Sequence, residues 1–237
     1  MAIPAINQSP KYKVTIPSLK KQVFFRPFLV KEQKILLMAM ETQDQELILK
    51  SMVDTVSACL EEPIDSNLFT TFDVEYMFTK IRAKSVGETA DVLIMCEECN
   101  ESNEVKINLD EIEIKDVETP PDIVLNDQYT LRLKYPKYNA LIHDVLGNQN
   151  EITFTDLLFK TSLQTLDKIL TNEEIIDLND ESEEEKIKFL DNLNSEQFKK
   201  IMDFVQSIPK LTHNVDFTCN KCDHANHQQL QGMQDFF

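Results

Sequence analysis

The chain has little glycine, no tryptophan and far fewer basic than acidic residues. Its 237 residues include three glycines, and 24 Lys and Arg stand against 41 Asp and Glu. Three scattered glycines cannot form the Gly-rich loops that bind phosphates, so neither a dinucleotide fingerprint nor a P-loop is present. The net charge of −17 disfavours binding of nucleic acid by the chain as a whole, because neutralising phosphates requires Lys and Arg.

Long apolar runs are also missing. No run approaches the roughly 20 apolar residues that a membrane-spanning helix needs. The first residues, Met1–Ala5, have neither the basic nor the apolar region of a secretory signal. We therefore expect no membrane partner. The hydrophobic fraction of 42% is sufficient for a packed core.

Recognisable catalytic motifs are absent. The sequence has no G-x-S-x-G, no H-E-x-x-H and no Cys-His nucleophile signature, and its four histidines are scattered. The acidic run Glu183–Glu185 is most simply a solvated helix face. We predict that the protein is not an enzyme, has no catalytic residues and takes no small-molecule substrate.

Four of the five cysteines form two C-x-x-C pairs, Cys96 with Cys99 and Cys219 with Cys222. Each pair follows a β-prone run and precedes a polar turn. Two such pairs supply four thiolates, which is the ligand set of a structural zinc site. The sequence therefore predicts one Zn²⁺ bound by all four residues. A site with four protein ligands has no open position for substrate, so its role would be structural.

Other interpretations of the cysteines stay open. A redox pair normally opens a helix in a βαβ unit, which neither pair does. An iron–sulfur cluster also takes four thiolates, whereas a disulfide within a pair is disfavoured in a reducing cell. His224 and His227 follow Cys222 closely, either as substitute ligands or as exposed polar residues. The fifth cysteine, Cys59, lies on an apolar helical stripe and is expected to be buried.

The patterning predicts an α+β protein: a mostly helical body with an N-terminal β-hairpin and a zinc-ribbon-like module formed by the two distant C-x-x-C hairpins. Alternation and turn residues place the first hairpin at 12–28, and helical periodicity covers 30–60 with a break near Thr42. Asp73 is expected to cap the next helix. Further helices are predicted at 137–145, 154–170, within 171–196, and from Ser195 to near Pro209.

Three regions follow from these patterns. Residues 1–88 form the hairpin with its helices. Residues 89–116 and 211–237 form the zinc-ribbon-like module. Residues 117–210 form a mainly helical insert with an acidic face, because 173–196 carry ten acids and only two lysines.

Several short motifs resemble one family. They are the Phe-Arg-Pro-Phe sequence at 25–28, the following Lys31–Lys34, the paired cysteine knuckles and the Gly-x-x-x-Phe-Phe sequence at 232–237. Together they resemble the baseplate hub family of T4-like contractile-tailed bacteriophages, over nearly the whole chain. The resemblance implies a non-enzymatic protein that helps to build the hub by contacts with other baseplate and hub proteins. It would be located in the host cytoplasm during assembly, or in the tail baseplate of the virion.

A competing hypothesis is a nucleic-acid-binding zinc-ribbon accessory protein. Glu97, Glu98 and Glu101 flank the first knuckle and repel phosphate, which disfavours this class. The residues also leave open whether Phe236 and Phe237 pack on the protein's own core or anchor it to a partner.

Overall fold

Helices and small antiparallel sheets form two compact units, so the chain is α+β. The computed structural model describes residues 9–114, 117–142 and 153–232. The first unit comprises the described parts of Met1–Ser66, Phe72–Asp116 and Lys210–Phe237. The second comprises those of Asn67–Thr71 and Val117–Pro209.

The elements are numbered along the chain. The strands are β1 Tyr12–Ile16, β2 Lys21–Phe25, β3 Thr89–Met95, β4 Ser102–Asn108, β5 Glu113–Ile114, β6 Asp122–Val124, β7 Thr130–Leu133, β8 Leu166–Leu170, β9 Ile175–Asp177, β10 Leu211–Thr218 and β11 Ala225–Gln231. The helices are α1 Val30–Thr42, α2 Gln45–Cys59, α3 Thr71–Ser85, α4 Tyr138–Leu141, α5 Phe154–Thr165, α6 Glu183–Asp191 and α7 Ser195–Gln206. Short 3₁₀ turns occur at Ser66–Leu68 and Leu109–Glu111.

The predicted N-terminal hairpin is confirmed. Strands β1 and β2 pair antiparallel with Val14 opposite Val23. Alternate side chains of both strands are buried, as period-two patterning requires. The predicted break near Thr42 is also confirmed, since α1 ends there and Gln43 has a left-handed φ of 57°.

Asp73 does not cap α3, contrary to the prediction. The helix begins at Thr71, which places Asp73 in its first turn. Its buried carboxylate accepts hydrogen bonds from the Ser18 backbone N–H at 2.8 Å and the Ser18 hydroxyl at 2.5 Å. The Asp73 carboxylate therefore makes a tertiary contact with the turn of the first hairpin.

Arg26 of the Phe-Arg-Pro-Phe motif links this hairpin to two helices. Its guanidinium donates to Glu32 Oε1 at 2.8 Å and to the Ala58 carbonyl at 2.9 Å. Glu32 is 4% exposed, and its second oxygen accepts the Leu29 backbone N–H at 2.8 Å. Burial acts to raise the pKa of Glu32, but the hydrogen bonds from Arg26 and Leu29 outweigh burial and lower that pKa.

The second unit contains a four-stranded antiparallel sheet in the order β6-β7-β8-β9. Leu131 of the sheet and Ile201 of α7 are fully buried in the cluster that joins this sheet to α5, α6 and α7. The predicted helix 154–170 is wrong in its last part, because α5 ends at Thr165 and the chain continues as β8. The acidic stretch likewise contributes strand β9 as well as helix α6.

These strands make the description "mostly helical" too simple for the described residues. Strands form three sheets in the first unit and the four-stranded sheet in the second. Within the described segments, no helix combines the length and the apolar character needed to cross a membrane.

The ion pair of Arg26 and Glu32 yields a stability prediction. Glu32→Gln leaves a half-buried guanidinium without its anionic partner, so the free energy of unfolding at pH 7 should fall by about 2 kcal/mol. Glu41→Gln is the control, an exposed position on the same helix. Urea unfolding of both variants and the parent measures the difference.

The same pair predicts a pH dependence. Because the folded pKa of Glu32 is lowered, its contribution is present above the unfolded pKa of about 4.3 and is lost as pH falls through the folded value. The gap in stability between the parent and Glu32→Gln should therefore shrink below about pH 4. A Glu32→Gln protein as stable as Glu41→Gln at pH 7 would contradict both expectations.

Candidate metal centre

Two β-hairpins carry the four paired cysteines. Strands β3 and β4 pair antiparallel along their full length and flank the first knuckle. Strands β10 and β11 flank the second, and β10 also pairs with β5. Both hairpins bury alternate apolar side chains in one cluster, including Val92 and Ile94 from the first and Val215 and Leu230 from the second.

The first knuckle is a tight hydrogen-bonded turn. The Cys96 backbone N–H donates to the Glu101 carbonyl at 2.8 Å, and the Asn100 N–H donates to the Cys96 carbonyl at 3.0 Å. Asn100 has a left-handed φ of 55°. Asn tolerates this conformation better than most residues, so it suits the position directly after the second cysteine.

The second knuckle repeats this turn residue for residue. The Cys219 N–H donates to the His224 carbonyl at 2.9 Å, and the Asp223 N–H donates to the Cys219 carbonyl at 3.1 Å. Asp223 has a φ of 57°, close to that of its counterpart in the first knuckle. The two C-x-x-C pairs are therefore equivalent local structures on separate hairpins.

The four sulfur atoms form one cluster. Cys96 Sγ lies 3.7 Å from Cys222 Sγ, and Cys99 Sγ lies 3.6 Å from Cys219 Sγ. All four sulfur atoms lie within 4.8 Å of one another. A tetrahedron with metal–sulfur bonds of about 2.3 Å has sulfur–sulfur edges of about 3.8 Å. The cluster thus fits a single thiophilic ion, whereas a disulfide requires about 2.05 Å.

Backbone N–H groups favour the thiolate form at the first cysteine of each knuckle. The Lys221 N–H lies 3.4 Å from Cys219 Sγ and is the main cause that lowers the pKa of Cys219 to about 6. Burial acts to raise the pKa of Cys96, but the N–H groups of Cys99 and Glu98 help to lower it overall. One sulfur of each pair is therefore prepared to be an anionic ligand.

The second cysteine of each knuckle keeps its proton more strongly. The Glu101 N–H and the hydrogen bond with Cys222 act to lower the pKa of Cys99, but burial and the hydrogen bonds with Cys219 and Cys96 leave it raised. The His224 N–H likewise acts to lower the pKa of Cys222. Hydrogen bonds with the other cysteines, together with burial, outweigh this effect and raise the pKa to about 12. Four thiolates this close together require a cation to compensate their charge.

Polar contacts also join the two hairpins. Gln228 Nε2 donates to the Met95 carbonyl at 2.7 Å, which connects β11 to the end of β3. Lys221 Nζ forms an exposed ion pair with Glu101 at 2.7 Å. The lysine of the second knuckle is thus paired with an acid of the first.

The remaining candidate ligands lie apart from the sulfur cluster. His224 contributes its backbone carbonyl to the knuckle, and the His227 ring pairs with Asp216 Oδ1 at 2.8 Å. Cys59 is buried at the end of α2, as expected, and burial raises its pKa to about 11. His143 lies outside the described residues, as do the terminal Phe236 and Phe237.

Sequence reasoning missed two buried asparagines at the centre, Asn103 and Asn226. Each follows the first cysteine of its knuckle by seven residues. The signal was available, because both knuckles have the form C-x-x-C-[Asn/Asp]-x-x-Asn. A repeat of the polar residues, beyond the cysteines themselves, would have identified them.

A comparison with models of known protein families identifies the family over nearly the whole chain. The model of the family described as T4 bacteriophage base plate protein matches residues 9–237. The chain belongs to this family. The resemblance drawn from the motifs is thereby confirmed at the level of a base plate protein. No curated protein and no solved structure matches the chain.

The thiol pKa values predict how metal binding depends on pH. At neutral pH the second cysteines, Cys99 and Cys222, are protonated and must each lose a proton on binding, whereas Cys219 is already ionised. With at least these two protons displaced, the affinity for Cd²⁺ should rise about 100-fold or more per pH unit between pH 6.5 and 8.

Competition titration of the metal-free protein with a chromophoric chelator measures this slope. The variant Cys59→Ser serves as the control and should show the same slope, because Cys59 is not in the cluster. An affinity that does not change over this pH range would contradict the prediction.

Proposed function

We propose that the protein is a structural or assembly protein of the baseplate hub of a contractile-tailed bacteriophage. The observation that carries the proposal is the family match over residues 9–237. Membership of a base plate protein family suggests a structural role without catalysis. In this role the protein acts through contacts with other baseplate and hub proteins, first in the host cytoplasm and then at the tail baseplate.

Exposed apolar side chains on α1 support a role in protein–protein contacts. Val30 is 79% exposed, and four more large apolar residues of this helix are more than half exposed. A concentration of this kind is typical of surfaces that meet other proteins. The exposed residues are Val30, Ile35, Leu37, Met38 and Met40.

The basic residues near the N-terminal hairpin do not form a free positive surface. Lys11 pairs with Glu61, and Lys21 pairs with Glu62 at 3.0 Å. Arg26 is paired with Glu32, as described above. Much of this charge is therefore neutralised within the chain.

The proposed metal is one structural Zn²⁺ bound by Cys96, Cys99, Cys219 and Cys222. Sulfur separations of 3.6 and 3.7 Å support a single ion rather than an iron–sulfur cluster, whose iron and sulfide atoms would hold the cysteines further apart. Four thiolates complete a tetrahedral shell, so the ion would stabilise the fold and would not bind substrate. Its binding free energy would then be part of the folding free energy.

A nucleic-acid-binding role is not favoured by these contacts. The knuckle lysine, Lys221, is paired with Glu101, and the first knuckle also carries Glu97 and Glu98. Phosphate binding would need unpaired basic groups at this surface.

Metal analysis tests the zinc proposal. Protein purified without chelator should contain about one zinc per chain, and Cys96→Ser with Cys219→Ser should remove it and lower the melting temperature. Cys59→Ser is the control and should keep its zinc. The proposal fails if the purified protein holds no metal, and iron in place of zinc would change the identity of the ion.

Complementation tests the baseplate proposal. Phage that lack this gene should produce no complete baseplates, and the parent protein supplied from a plasmid should restore them, as judged by electron microscopy. Antibody detection in purified tails then distinguishes a hub component from an assembly factor, which would remain in the lysate. Normal baseplates without the protein would overturn the proposal.

A further inference from the structure

We propose that Asn103 and Asn226 are positioning residues of the metal centre, each holding the cysteine knuckle of the opposite hairpin in place. This inference rests on the proposed binding of a metal ion by the four cysteines. According to this inference, two side chains that are not metal ligands hold the two halves of the site in register.

Asn103 connects its own knuckle to the second one. Its side chain is buried, with the residue 2% exposed. Its Oδ1 accepts the backbone N–H of Asn220 at 2.9 Å, and its Nδ2 donates to the Glu101 carbonyl at 2.8 Å. The same Nδ2 lies 3.7 Å from Cys219 Sγ and donates toward that sulfur.

Asn226 makes the corresponding contacts in the other direction. The residue is 1% exposed. Its Oδ1 accepts the backbone N–H of Glu97 at 2.9 Å, and its Nδ2 donates to the His224 carbonyl at 3.0 Å. Each asparagine thus binds the backbone N–H of the residue that follows the first cysteine of the opposite knuckle.

The backbone contacts of Asn103 correspond to those of Asn226 when the two knuckles are interchanged. In each case the acceptor carbonyl lies five residues after the first cysteine of the asparagine's own knuckle. The donated backbone N–H comes from the residue after the first cysteine of the other knuckle. The sulfur pairs follow the same exchange, because the first cysteine of each knuckle lies beside the second of the other.

A carboxamide is the side chain that this position requires. It offers an acceptor and two donors in one plane, whereas aspartate has no donor and alanine has neither group. The oxygen and nitrogen assignments are fixed by the partners, since the reversed orientation would place an oxygen against a carbonyl and an NH₂ against an N–H. Second-shell hydrogen bonds of this kind orient metal ligands and tune their basicity.

The experiment compares metal binding by full-length Asn103→Ala and Asn226→Ala with the parent protein. Each variant should bind Zn²⁺ about 10- to 100-fold more weakly, measured by competition with a chromophoric chelator. Asn220→Ala is the matched control: it changes an exposed knuckle side chain but keeps the backbone N–H that Asn103 accepts. Its affinity should equal that of the parent.

Co²⁺ substitution separates positioning from simple packing. Loss of an N–H···S hydrogen bond raises the energy of the thiolate electrons. The sulfur-to-cobalt charge-transfer band of Asn103→Ala, which loses the contact with Cys219 Sγ, should therefore move to longer wavelength. Asn103→Ser and Asn226→Ser provide smaller changes in case the alanine variants do not fold. Asn103→Ser should show the same shift as Asn103→Ala, because Ser is too short to restore the contact with sulfur.

The outcomes distinguish this inference from the proposed function. Parent-like zinc affinity of both alanine variants and an unshifted cobalt band in Asn103→Ala, with only a lower melting temperature, would overturn the positioning role and leave the metal site intact. If the parent protein itself binds neither Zn²⁺ nor Co²⁺, the metal site and the positioning role fail together.

Discussion

The first unit depends on contacts between two hairpins that are far apart in sequence, β3–β4 and β10–β11. Cys99 and Cys219 are 120 residues apart, yet their sulfur atoms lie 3.6 Å from each other. Closing so long a loop costs conformational entropy, which local turns alone cannot offset. The apolar cluster that the two hairpins share supplies a compensating interaction, and an ion bound by the four cysteines would add to it.

Within this unit, several buried or half-buried polar side chains join elements that are far apart in sequence. Asp73 binds the turn of the first hairpin, and Arg26 joins a strand to the start of α1 and the end of α2. Asn103 and Asn226 extend the same principle to the cysteine knuckles. Buried polar side chains therefore specify how the elements are joined, while apolar burial supplies most of the driving force.

The cysteine knuckles were predictable because their spacing is a local property. C-x-x-C fixes a turn, and two such turns imply a shared site, so Cys96, Cys99, Cys219 and Cys222 could be grouped from sequence alone. The buried asparagines were not found, because their function depends on the opposite hairpin. Asp73 was assigned to a cap for the same reason, since the competing donor, Ser18, is 55 residues away.

The boundary between α5 and β8, at Thr165, shows a different limit of prediction from sequence. Leucine and isoleucine at 163, 166 and 169 fit a helical stripe, and the same residues fit an extended strand once β7 and β9 are available as partners. Sheet pairing decided between them, and single-sequence periodicity contains no information on that pairing. The α+β class, the N-terminal hairpin and the break near Thr42 were accessible because each depends on local patterning.

The order of synthesis gives the separation of the two hairpins a further meaning. A ribosome adds about 5–20 residues per second, so the second cysteine pair follows the first by roughly 6–24 seconds. During that interval β3 and β4 have only half of a thiolate set and an apolar face without its partner hairpin. The first unit can therefore complete its fold only after the second unit has emerged, and the nascent chain must carry an open half-site until then.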